Sequence, residues 1–252
     1  MSSSHKVIAV TCLAFEARIA AAAGVIVVCA ARAQGLAALI EAAITNDCCG
    51  IASFGVAGGL DPGLRPGDWV VASHVVTENG RYPTDPSWTR RISEALPSAI
   101  HATIVGVDKP VSHPTGKALL RSVHGSAAVD TESHVAAQVA AARGIPFVAA
   151  RVILDPAHRP LPPAALLPLR IDGSPDLRGI AHSVRTTRRQ LVPLTRLAAD
   201  TFRARSALLL GSKCLGEALA FESHQALHAG LTDAQEDEEL ALEAAQLPIQ
   251  SL

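Results

Sequence analysis

I-A-S-F-G-V-A-G-G-L-D-P-G-L-R-P-G-D-W-V-V-A-S, residues 51–73, is the stretch on which the fold turns. Gly50-Ile51-Ala52-Ser53-Phe54 is short, apolar and uncharged, the pattern of a strand buried on both faces. Gly55-Val56-Ala57-Gly58-Gly59 then reads as a turn, and Asp61-Pro62-Gly63 and Arg65-Pro66-Gly67-Asp68 as two more. Trp69-Val70-Val71-Ala72 resumes as a strand. Glycines just past a strand end let backbone N–H groups approach a ligand without a Cβ in the way. Gly55, Val56, Ala57 and Gly58 are therefore candidates for a loop that holds an anion or a sugar. A tight bend between strands is the plainer alternative, and spacing alone leaves both open.

Outward from this stretch the chain alternates. Toward the N-terminus, Val7-Ile8-Ala9-Val10 and Val25-Ile26-Val27-Val28-Cys29 read as strands, with helices expected over 15–23 and 36–44. Toward the C-terminus, strands are expected over 103–107, 127–130 and 147–154, and helices over 88–96, 117–123 and 132–143. Val75-Val76-Thr77 extends the strand from Trp69 or pairs beside it, and residues 79–88 read as a surface loop. Such alternation implies an α/β fold: a single domain with a central mixed sheet flanked by helices. Ligands of such folds sit at the carboxyl ends of strands.

Residues 156–175 are rich in proline and break regular structure. Residues 180–210 read as basic helix, carrying Arg185, Arg188, Arg189, Arg196, Arg203 and Arg205, with Pro193 expected to kink or split it. A surface helix packed by its apolar side explains this region; a basic amphipathic helix at a membrane is the alternative. The expected organisation is one domain over 1–220, with a core at 5–160 and a helical part at 161–220. An acidic tail, 221–252, carries Asp233, Glu236, Asp237, Glu238 and Glu239.

Lys plus Arg number 22 against 23 for Asp plus Glu, so the net charge of −1 offers no basic excess for nucleic acid. Cys12, Cys29, Cys48, Cys49 and Cys214 show no zinc spacing, and reduced, buried thiols are expected, with no metal and no redox role. Met1 through Lys6 lead straight into a strand pattern without a secretory apolar region, and a cytoplasmic protein is expected. The longest uncharged apolar run, 19–31, falls short of the roughly 20 residues a spanning helix needs.

Three blocks in order resemble the purine nucleoside phosphorylase and nucleosidase superfamily. They are Gly55-Val56-Ala57-Gly58-Gly59-Leu60 with Pro66-Gly67-Asp68, then Val129-Asp130-Thr131-Glu132-Ser133, then Pro146-Phe147-Val148 through Arg151-Val152-Ile153-Leu154-Asp155. Gly59-Leu60-Asp61-Pro62 and Asp172-Gly173-Ser174-Pro175-Asp176-Leu177-Arg178 are similar to the hopanoid-associated branch, which acts on adenosylhopane. The resemblance implies an enzyme that cleaves the N-glycosidic bond of an adenine nucleoside. Its substrate would carry a lipidic 5′ substituent, and the enzyme would form a homo-oligomer able to touch the inner membrane face. No cofactor is implied, with phosphate as a conceivable co-substrate. Methylthioadenosine- or S-adenosylhomocysteine-type nucleosidase and purine nucleoside phosphorylase activities are the alternatives, and an inactive nucleoside-binding protein is a third.

The resemblance also assigns roles. Asp155 matches the acid that protonates the departing base; burial at a strand end should raise its pKa. Capping a following helix is its plainer role. Glu132 matches the carboxylate that clamps two ribose hydroxyls and faces the cationic sugar, against a first-turn glutamate favoured by the helix dipole. Thr131 stands beside it where the family has Met, which removes an apolar contact to ribose. Glu16 matches the glutamate that activates water, against a surface pair with Arg18 or Lys6. Val56 replaces the Ser or Thr that relatives direct at the nucleophile, leaving the N–H groups of Ala57 and Gly58. No arginine lies in 11–15 or in the glycine stretch, so water rather than phosphate is the expected nucleophile. His74 and His134, without metal spacing, read as satisfied polar residues. Tyr82 and Trp88 line a pocket lid or simply pack at the surface.

Overall fold

The computed structural model describes residues 6–22, 24–30, 34–78 and 80–221. The acidic tail expected from 221 lies, beyond its first residue, outside them. Eight strands alternate with seven α-helices: β1 (Lys6–Thr11), α1 (Ala14–Ala20), β2 (Val25–Cys29), α2 (Leu36–Ala43), β3 (Cys48–Gly59), β4 (Trp69–Thr77), β5 (Gly80–Pro83) and α3 (Pro86–Ala95). They continue as β6 (Ile100–Gly106), α4 (Pro114–His124), β7 (Ala128–Asp130), α5 (Ser133–Arg143), β8 (Phe147–Asp155), α6 (Leu177–Thr186) and α7 (Leu191–Leu215). The sheet is mixed, in the order β2-β1-β3-β7-β6-β4-β5, with β8 pairing both β3 and β4. Following the pairs β3–β7–β6–β4–β8–β3 returns to the start, so five strands close a ring and the others extend from it.

β3 departs from expectation. Its apolar start was legible, but the strand does not turn at Gly55; it runs to Gly59, paired in parallel with β8 from Ile51 to Gly58. On its other side β1 pairs up to Ser53, and β7 pairs, antiparallel, only from Gly58. Residues 54–57 thus have a strand on one side alone. A strand's unpaired edge must find other partners for its N–H groups, and the gap left here is where the candidate site lies. The small residues made the stretch resemble a loop, whereas partners distant in sequence extend it.

Apolar side chains cover both faces. On one, Ile8, Val10, Ile51 and Ala149 pack with Ile40 of α2 and Ala136 and Ala140 of α5. On the other, Val7, Phe54, Trp69 and Val148 pack with Ala20 of α1, Ile92 of α3 and Leu208 of α7. Trp88 belongs to this second layer: it is fully buried, its Nε1 donates to the Leu219 carbonyl at 2.8 Å, and Phe221 meets it edge-on at 4.8 Å. It is no lid. Tyr82 sits on β5, opposite Val75, so the segment expected as a loop is the return strand of a hairpin followed by α3.

The basic helical region divides at Thr187–Gln190 rather than at Pro193, which falls in the first turn of α7, where a missing N–H is harmless. The five thiols are free; four are half-buried and Cys214 is exposed, which corrects the expectation of buried cysteines. No helix among the described residues is long and apolar enough to cross a membrane.

Candidate active site

Glu16 lies in the first turn of α1 yet is 1% exposed. Its Oε2 accepts from the N–H groups of Cys12 (2.9 Å) and Leu13 (2.8 Å), donors that a helix start leaves free. Its Oε1 accepts from Val56 N–H at 2.7 Å, the group exposed by the gap beside β3. Burial, opposed by Arg151, pushes the Glu16 carboxyl up to about 7. The plainer surface pairing is absent, since Arg18 Nε donates to the Ala14 carbonyl and Lys6 pairs with Asp47. Gly55 has φ +151°, and a Cβ there would stand 2.5 Å from Glu16 Oε1 and 2.8 Å from Arg151 Nη1. Only glycine admits both charges.

Arg151, inside an otherwise apolar strand, is fully buried. Nε lies 2.8 Å from Asp130 Oδ2 and Nη2 lies 3.2 Å from Glu132 Oε2; Nη2 also donates to the Ser53 hydroxyl. Nη1, facing Gly55, has no hydrogen-bond partner among the described residues. Asp130 orders the turn into α5 by accepting from Ser133 N–H at 2.9 Å. That turn sends Glu132 inward, to 4% exposure, instead of leaving it on the helix surface. Glu132 Oε1 accepts from the Thr131 hydroxyl, so Thr131 touches the carboxylate itself. Burial raises the Glu132 carboxyl, Arg151 opposing, and burial also raises the thiol of adjacent Cys12.

Asp155 ends β8. The register opposes Gly55 to Arg151 and Ala57 to Ile153, then slips, so that Gly58 faces Asp155. The extra residue is a bulge, and a bulge re-aims the side chains beyond it. A Cβ on Gly58 would stand 3.3 Å from Asp155 Oδ1. No helix begins after it before the short helical turn at Pro163–Leu166, so Asp155 caps nothing. Burial raises its carboxyl, with Lys117 opposing. Glu16, Glu132 and Arg151 thus gather at Gly55, and Asp155 lies three residues on, about 10 Å along the strand. Because β7 runs against β3, Glu132 reaches the middle of the ladder and not a shared carboxyl edge.

The remaining candidates fall elsewhere. Ala57 and Gly58 lie in a paired strand and form no free loop. His134 Nε2 is 3.2 Å from Asp108, and His74 lies 3.2 Å from Arg81. Sequence reasoning missed Arg151 and Lys117 as individual residues. Arg151 had a signal, a cation amid Phe147-Val148-Ala149-Ala150 and Val152-Ile153. So did Lys117, which shares a helical face with Leu120 and His124 on α4. The motif at 172–178 reaches the site: Gly173 carbonyl accepts from Ala14 N–H at 3.1 Å, and a Cβ on Gly173 would stand 2.6 Å from the Cys12 carbonyl. Beside Asp155 opens a cavity of about 170 Å³ lined by Pro156, Arg159, Leu161, Pro193 and Leu197.

The profile of the Phosphorylase superfamily matches residues 18–165. Solved structures share the fold. An S-adenosylhomocysteine nucleosidase from Streptococcus pyogenes, in complex with 5-methylthiotubericidin, is 16% identical with TM-score 0.58, over 84% of this chain and 97% of that one. A 5′-methylthioadenosine/S-adenosylhomocysteine nucleosidase from Neisseria meningitidis is 17% identical with TM-score 0.56, over 82% and 97%. Futalosine hydrolase of Helicobacter pylori is 18% identical with TM-score 0.52, over 60% and 88%. Among curated proteins no sequence match is found.

Proposed function

We infer the reaction from the family, since this chain belongs to the phosphorylase superfamily. We propose that it is a nucleosidase that breaks the N-glycosidic bond of an adenine nucleoside, with water as nucleophile. The observation that carries this reading is the buried trio Glu16, Arg151 and Glu132 around Gly55. A base working near neutrality needs a pKa near its operating pH, and Glu16, pushed up to about 7, has one. Water entering between Glu16 and the orphaned Nη1 of Arg151 would be held by both. Glu132 exchanges its bond from Thr131 for the ribose hydroxyls and sets its charge against the cationic sugar. The water oxygen bonds to the anomeric carbon and its proton passes to Glu16. The base leaves with the bonding pair, taking a proton from Asp155.

Phosphate fits less well. The cation at the gap, Arg151, is already balanced by Asp130 and Glu132, and Val56 offers no hydroxyl.

The substrate we propose is adenosylhopane, cleaved to adenine and a ribosyl-hopane in hopanoid biosynthesis. Two features support it. The segment at 172–178 packs on the loop that carries Cys12 and Leu13. α6 and α7 expose Leu177, Val192 and Phe202, and Arg185, Arg188 and Arg189 are exposed on α6 and between the two helices, side chains suited to a cytoplasmic enzyme meeting the inner membrane face. The same exposed apolar side chains suit a second copy of the chain in a homo-oligomer. Likeness to nucleosidases named for methylthioadenosine and S-adenosylhomocysteine favours those soluble substrates as the second reading. Chromatography of free adenine, from adenosylhopane in vesicles against methylthioadenosine, decides. Strong preference for the small substrate overturns the lipid reading and leaves the nucleosidase standing.

A further inference from the structure

Lys117 is the only buried residue of α4, and it is fully buried. Its Nζ donates to Asp155 Oδ2, to the Asp155 carbonyl at 3.3 Å and to the Pro156 carbonyl at 3.0 Å. An ammonium has three protons, and all three are spent on one corner of the chain. Burying a lysine is costly, and a well-packed apolar residue fills such a place at least as stably. Holding the fold together therefore does not account for its charge.

The other charged groups facing this carboxylate are few. Arg159 follows in the chain and is itself paired with Asp200 of α7 at 2.6 Å, and β3 presents only Gly58.

We propose that Lys117 is a positioning residue for proton delivery: it fixes Oδ2 of Asp155 and the two carbonyls beyond it, leaving Oδ1 to serve the departing base. This rests on the assignment of Asp155 as the acid. The proton that reaches the base comes from the Asp155 carboxyl, and Lys117 keeps its own. Its positive charge also favours the ionised carboxylate, so removing it lets Asp155 hold its proton to higher pH.

The test compares two substrates: methylthioadenosine, whose base must be protonated to leave, and p-nitrophenyl riboside, whose leaving group departs as an anion. Lys117→Met should lose about a hundredfold in kcat/KM on the nucleoside, the scale of a misplaced catalytic group, and little on the nitrophenyl riboside. The basic limb of its nucleoside pH profile should move up by about one unit or more. Lys117→Arg should recover part of the loss, and Lys117→Gln serves if the Met variant does not fold. Equal losses on both substrates, or an unmoved basic limb, would overturn the proposal. Asp155→Asn separates the two levels. If it too spares the nucleoside, the assignment of Asp155 fails; if it discriminates and Lys117→Met does not, only Lys117 is wrong.

Discussion

The β3–β8 ladder and the helices after residue 176 hold charge in opposite ways. Along the ladder, Glu16, Glu132, Arg151 and Lys117 are buried, and each is matched to a counter-charge or to backbone groups. On α6 and between it and α7, Arg185, Arg188 and Arg189 lie exposed beside exposed Leu191 and Val192. Buried charge is expensive and survives only where every partner is fixed; exposed charge costs little and adapts to whatever surface it meets. The proposed function places the chemistry on the ladder and the choice of substrate on the helices.

Disturbing the ladder should have the largest effect. Arg151→Met leaves Asp130 and Glu132 buried without their cation, which should cost about 3–5 kcal/mol in denaturant unfolding. Stability near that of the parent would show that the cluster is not interdependent. Asp155→Asn should keep nucleoside binding and lose about a hundredfold or more in turnover. Adenine release close to wild type would take Asp155 out of the mechanism.

The pH profile sharpens the same region. Glu16 must be ionised to accept the proton of water, and its carboxyl is raised to about 7, chiefly by burial. Below that pH, kcat/KM should fall about tenfold per unit, while a profile flat down to pH 5 would exclude Glu16 as the base. The helices should respond least. Arg185→Ala, Arg188→Ala and Arg189→Ala together should change stability by less than about 0.5 kcal/mol. The triple variant should lose sedimentation with anionic liposomes, to which each arginine contributes up to about 1 kcal/mol. Unchanged sedimentation would leave the helices a role in assembly only.

How much of this was legible in the sequence depends on how local each signal is. β2 was legible residue for residue, and α2, α5 and β8 to within a residue or two at either end, because apolar runs and helical spacing are properties of the segment itself. Gly55 to Gly59 misled because a run of small residues becomes strand only through β8, some hundred positions away. Tyr82 and Trp88 misled for the same reason, their partners being β4 and the chain around Leu219. Glu16, Glu132 and Asp155 were singled out by resemblance. Composition could not show that Arg151 would join the first two, or that a lysine on an exposed helix would reach the third.

In the proposed mechanism the gap beside β3 holds water for attack on the anomeric carbon. Adenine release from methylthioadenosine, run in phosphate-free buffer made with ¹⁸O water and read by mass spectrometry of the sugar, tests it directly. The proposed hydrolysis predicts a free sugar labelled at its anomeric hydroxyl, at a rate that added phosphate leaves unchanged. Release that requires phosphate and yields an unlabelled sugar 1-phosphate would contradict it.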